Sequence, residues 1–348
     1  MNMLRLLILL MSAFSSTLFA KHKSLFYDWN EKERYLKISW TTTHIDHSRN
    51  EKQFKTVSPD QINDEFLRDF APIDTFYINA DNAEITQILS QMKQTEIRSL
   101  KIWGYARQDQ QAFHDLVAVI AKRGKTLKKL AILHAENNFP LFPEHLRALS
   151  GLPLESISGA LSYPPKGNMY YLGTSNQLLP EITLFKDTLQ ELILEETWIT
   201  KEKAIKALAD LSQLKKLVVR SPISREAIHV IKYHNNLTHL DLADANRLNN
   251  KRILDILKVK KNLVMFAFPD PHYPIMDSAS VKAGTFVSHL KKVLPNNKSL
   301  KMVAFGEATR ANREIAETFE TYGISVKGDI YSFSSKYDKE WKKKWSED

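Results

Sequence analysis

The sequence predicts an α/β repeat solenoid, with parallel strands on the concave side and helices on the convex side. Three observations lead there. A strand signature of three apolar residues, spaced L-x-x-L-x-L, returns nine times from Ile73 to Phe305. Each signature is followed by a segment with helical apolar spacing. The units succeed one another at intervals of 23 to 37 residues, room for one short strand, a turn and one helix. A lone strand–helix unit cannot bury its apolar face, whereas stacked units share one continuous core.

In chain order, Arg5 precedes the unbroken apolar run Leu6 to Met11, and small and apolar residues follow as far as Ala20, ahead of Lys21-His22-Lys23. That order reads as a secretory signal peptide over residues 1–20, cleaved near Ala20. Residues 21–72 do not obey the repeat. Tyr35 to Trp40 alternates like a strand, and Phe66, Leu67 and Phe70 suggest a short helix before Pro72. An array's first unit has an open apolar edge, so this region is expected to be an N-terminal cap. The repeat domain then covers residues 73–330. Residues 331–348 carry Trp341 and Trp345 around three lysines, flanked by Asp338, Glu340, Glu347 and Asp348, and read as a charged C-terminal tail or cap.

Within the array the clearest triplets are Ile97/Leu100/Ile102, Leu189/Leu192/Leu194 and Leu237/Leu240/Leu242. The fourth unit departs from the pattern, with Gly159 in its third apolar position. Between the triplets, Ile85, Ile88, Leu89 and Met92 form a helical stripe, as do Phe113, Leu116, Val117 and Ile120, with Gly124 placed to end the second helix. Ser224 is placed to cap a helix carrying Ala227, Ile228 and Ile231.

On these residues the chain resembles the leucine-rich repeat proteins over roughly residues 73–330. Among them it is similar to the ribonuclease-inhibitor-like group, whose repeats carry full helices on the convex side. Leu189 to Leu211 looks like that group's strand, its turn at Ile199-Thr200 and its helix. Leu237 to Leu248 looks like the variant with a longer turn. Where the group favours Asn or Cys at the ninth position, Thr197 and Ala245 stand here. The resemblance implies protein binding rather than catalysis.

Composition narrows the function classes. The formal charge of +9 comes from 49 basic against 40 acidic residues, so both signs are plentiful. A nucleic-acid binder concentrates positive charge on one face. The mid-strand residues expected to point inward are Tyr77, Lys101, Ala131, Ser158, Ile193, Val218, Asp241, Ala267 and Ala304, a row with a single base. Trp103, Lys129, Lys216, Arg220, Glu191, Glu195 and His239 flank that row. Such a mixed, partly apolar face speaks against a nucleic-acid partner. There is no cysteine, which excludes disulfides, thiolate metal ligands and a cysteine nucleophile. Gly-x-Ser-x-Gly, P-loop and His-Glu-x-x-His motifs are missing as well. His44, Asp46 and His47 lie together in a polar stretch, and His229, His234 and His239 are spaced by five, on no common helix face; neither set reads as a metal site. A non-enzymatic chain without metal or cofactor is expected.

Two long insertions interrupt the array, residues 161–171 and 269–275, both rich in proline and tyrosine. They begin just beyond the strand's third apolar position and so are expected on one rim. Tyr163, Tyr170, Tyr171, His272 and Tyr273 are the expected rim contacts, with Trp103, Ile193 and Asp241 on the adjoining concave face. The function expected is that of an exported protein, periplasmic or extracellular, which mediates protein–protein interaction and has no transmembrane span in its mature form. The alternative is a binder of carbohydrate or cell-envelope polymer, for which Trp103, Tyr77 and Tyr170 provide stacking.

Overall fold

The computed structural model describes residues 25–39, 55–105, 110–134, 143–160, 174–195, 199–220, 223–242, 250–268, 283–304 and 310–327. One sheet of thirteen strands organises them. Its strands are β1 (Leu25–Asn30), β2 (Tyr35–Ser39), β3 (Lys55–Val57), β4 (Thr75–Asp81), β5 (Ser99–Tyr105), β6 (Lys129–His134), β7 (Ser156–Ala160), β8 (Glu191–Glu195), β9 (Lys216–Arg220), β10 (His239–Asp241), β11 (Met265–Ala267), β12 (Met302–Ala304) and β13 (Ser325–Lys327). From β4 to β13 each strand lies beside its predecessor, and β2 sits next to β4, giving eleven parallel strands; β1 closes that end antiparallel to β2 and β3. The helices are α1 (Asp64–Arg68), α2 (Asn82–Gln91), α3 (Gln110–Ala121), α4 (Pro143–Leu149), α5 (Thr174–Ile182), α6 (Glu202–Asp210), α7 (Arg225–Tyr233), α8 (Asn250–Val259), α9 (Ala283–Val293) and α10 (Arg310–Thr321). This is an α/β solenoid with the strands on its inner side and the helices outside. No helix of the described residues is long and apolar enough to cross a membrane.

Register follows the apolar triplets residue for residue. Leu100, Leu130, Ile157, Leu192 and Leu217 stand side by side across β5 to β9, and all five are buried. The residues that open the nine units, from Ile73 to Leu300, are buried too. So are Ile85, Ile88 and Leu89 of α2, Met92 just past its end, and Phe113, Leu116, Val117 and Ile120 of α3, all in the same core. Ser224 caps α7 by accepting the Ala227 amide at 3.1 Å. Gly124 has φ +74, the left-handed conformation that favours glycine after a helix.

Gly159 departs from the triplet for a steric reason. A Cβ there would lie 2.5 Å from the Ile132 carbonyl oxygen of β6. The row Ile102, Ile132, Gly159, Leu194 therefore closes up at β7, where backbone replaces a side chain.

Both ends of the array extend further than the nine signatures. β2, expected to lie outside the repeat, pairs in parallel with β4 and is the sheet's first parallel strand. At the other end Ser325–Lys327 adds β13, pairing with β12. The N-terminal segment is tied down by a carboxylate and a guanidinium that share one turn. Asp64 of α1 accepts from the amides of Lys93 (2.9 Å), Gln94 (3.0 Å) and Thr95 (2.8 Å) and from the Thr95 hydroxyl (2.7 Å). Arg123, just after α3, donates to the carbonyls of Leu89, Met92 and Thr95. Burial works against the Asp64 charge, but its hydrogen bonds prevail and hold the carboxyl below its ordinary value.

Candidate binding face

The sheet's inner face consists of the positions that alternate with the core rows. Its middle row reads Lys37, Tyr77, Lys101, Ala131, Ser158, Ile193, Val218, Asp241, Ala267, Ala304 and Lys327, each paired with the next across adjacent strands. All nine residues expected there from the sequence fall on this one row. Lys101 and Ile193 are half-buried, while Asp241 is only 4% exposed and offers little surface. Trp103, also half-buried, stands on β5 one position further along, beside Asn79 of β4. Tyr163, Tyr170, Tyr171, His272 and Tyr273 lie outside the described residues, as do His44, Asp46 and His47.

Chemistry changes along the face. At β2 and β4 the rings of Tyr35 and Tyr77 sit 6.5 Å apart, and the Lys37 ammonium lies 5.2 Å from the Tyr77 ring centroid. In the middle, Ser156, Glu191, Lys216 and His239 occupy one row on four successive strands. Lys216 forms an ion pair with Glu191. Burial raises the Glu191 carboxyl, but Lys216, Lys129 and Ser156 outweigh it and hold it below its ordinary value. The His239 imidazole is pushed down to about 4 by burial and by Lys216, with Glu191 opposing, so it is neutral at pH 7. Beyond it Met265, Ala267, Met302 and Ala304 form an apolar cluster of their own, separate from the main core.

The Glu191–Lys216–His239 row was absent from the expected contacts, although its signal was present. The three residues occupy the same position in successive units, 25 and 23 residues apart. His229, His234 and His239 go to three different places. His229 packs tilted against Tyr233, ring centroids 4.8 Å apart, His234 is buried against the Leu211 carbonyl at 2.8 Å, and His239 lies on the inner face. Among the described residues, no group of three His, Asp or Glu side chains is placed to hold a metal ion.

No family model matches the chain, and no curated protein does. Among solved structures it is similar to a crystal structure of a Bacteroides fragilis protein determined by a structural genomics consortium. The identity is 12% and the TM-score 0.41, over 70% of this chain and 66% of that one.

Proposed function

We propose that the chain is an exported, non-enzymatic leucine-rich repeat protein whose inner face and its rim bind another protein. The observation that carries this reading is the uninterrupted eleven-strand inner face, whose side chains pass from polar and aromatic at the first steps, through a charged middle, to apolar near the last. A face of eleven strands at about 4.8 Å per step spans roughly 50 Å, the scale of a protein surface rather than a small molecule. Its cations are interrupted by Ala131, Ser158, Ile193 and Val218, unlike a phosphate-tracking stripe. The leucine-rich repeat assignment rests on the agreement between the L-x-x-L-x-L positions and the buried rows.

A second reading, a binder of carbohydrate or envelope polymer, draws on the half-buried Tyr35 and Trp103 at the first steps; Tyr77, beside Tyr35, is only 8% exposed and offers little surface for stacking. Affinity capture from the native extract with the chain beginning at Lys21, identified by mass spectrometry, tests the first reading. Parallel pull-downs on peptidoglycan and glycan arrays test the second. Specific protein capture, lost in Ile193→Asp with the fold retained, supports the proposal. Retention on polymer alone, sensitive to Trp103→Ala, replaces it with the second reading.

A further inference from the structure

On the outer, helical side, away from the candidate face, two imidazoles meet between adjacent repeats. The Nε2 of His145 on α4 lies 2.7 Å from the Nδ1 of His114 on α3, with ring centroids 4.5 Å apart. His145 is 2% exposed and also meets the Phe113 ring edge-on at 4.9 Å. At that distance one facing nitrogen donates a hydrogen and the other accepts it with its lone pair. A first added proton can be shared across such a bond by exchange of tautomers. A second cannot, because it leaves N–H facing N–H and places two cations side by side, one of them on the buried His145 ring.

We propose that the His114–His145 pair is an acid-sensitive latch between α3 and α4, closed while one facing nitrogen is unprotonated and opened when both rings carry a charge.

The charges on the surrounding elements do little to oppose this. On α3, Asp115 takes a hydrogen bond from Gln111 at 2.9 Å; on α4, Arg147 is paired with Glu181 of α5 at 2.9 Å. Glu84, at the N-terminus of α2, accepts from the Asp81 amide. Among the described residues, Glu144 favours a charge on His145, and burial and His114 outweigh it, pushing the imidazole down to about 4 from its ordinary 6.5. The folded chain thus binds fewer protons than the unfolded chain between those values. The joint's stability is fully present above pH 6.5 and is lost as pH falls toward 4.

Amide hydrogen exchange on the full chain at pH 7 and pH 4, corrected for intrinsic exchange rates, tests the latch. Peptides from α3 and α4 are expected to lose protection about tenfold at pH 4, while α10, which carries no histidine, keeps its protection. His145→Phe, which keeps an aromatic ring against Phe113, is expected to abolish that difference. If His145→Phe does not fold, His114→Gln, which bonds but does not titrate, is expected to reduce it. Unchanged protection of α3 and α4 in the wild type at pH 4 overturns the proposal, and so does an equal loss in wild type and variants. None of these outcomes depends on which ligand the inner face takes.

Discussion

The middle row of the inner face begins with Lys37, Tyr77 and Lys101 and ends, before β13, with Ala267 and Ala304. In the first stretch the side chains are polar or aromatic, and both lysines are half-buried. In the last, Met265, Ala267, Met302 and Ala304 are at most 7% exposed and pack on one another. Beneath both stretches the core row is of one kind, with Phe76 and Leu100 at one end and Phe266 and Val303 at the other, all fully buried. The contrast shows how a repeat array divides its labour. Alternation commits one side of every strand to packing, so the other side can change chemistry step by step without disturbing the fold.

That division makes the core row indifferent to the face above it. Leu192→Ala, under the charged middle, and Leu240→Ala, beneath His239 and Asp241, should each destabilise by about 2–5 kcal/mol, because stacked neighbours cannot collapse into the cavity. Denaturant midpoints of the two variants check this; a shift at only one of them would tie core stability to the chemistry of the face. Next in size, Met265→Lys puts an ammonium where the side chain is 1% exposed, and should destabilise by about 3 kcal/mol unless the lysine escapes to solvent. A midpoint equal to wild type would show that this stretch of the face opens readily. Gly159→Ala, in the core row of β7 where the charged middle begins, should cost about 1–3 kcal/mol through the Ile132 carbonyl clash, measured by thermal melting. A neutral substitution there would mean that β6 and β7 can move apart.

Much of this arrangement was legible in the sequence, for a physical reason. A period-2 strand inside a unit anchored by Leu189, Leu192 and Leu194 has its register set to the residue, so the nine inner-row positions could be written down in advance. What alternation leaves open is whether a residue that points inward is also exposed. Asp241 points to the inner side as expected, yet it is buried, and nothing in its local sequence distinguishes it from half-buried Ile193. Strands decided by distant pairing were likewise hidden. Ser325–Lys327 lacks the triplet and becomes β13 because β12 offers a parallel edge. Tyr35–Ser39 reads as a strand from its alternation, but its parallel partner lies forty residues away in β4. The His114–His145 contact was invisible because its partners belong to different units, and helical spacing says nothing about which residues face each other across helices.

The smallest expected stability effect sharpens the comparison most. Lys101→Met gives the first stretch the apolar character of the last. Lys101 lies on a strand whose core residues Leu100 and Ile102 are fully buried and untouched by the change. A substitution at this half-buried position should alter stability by about 1 kcal/mol or less, below the core truncations. Binding should respond differently. If the polar, aromatic steps form part of the contact, loss of the ammonium next to Tyr77 and Trp103 should weaken capture of the natural partner several-fold and flatten its dependence on salt, since an exposed charge acts over about 8–10 Å at ordinary ionic strength. Titrating captured partner against salt concentration for wild type and Lys101→Met, with melting curves in parallel, separates the two responses. Unaltered capture with an unaltered salt slope would move the contact away from the first steps, toward the Glu191–Lys216–His239 row.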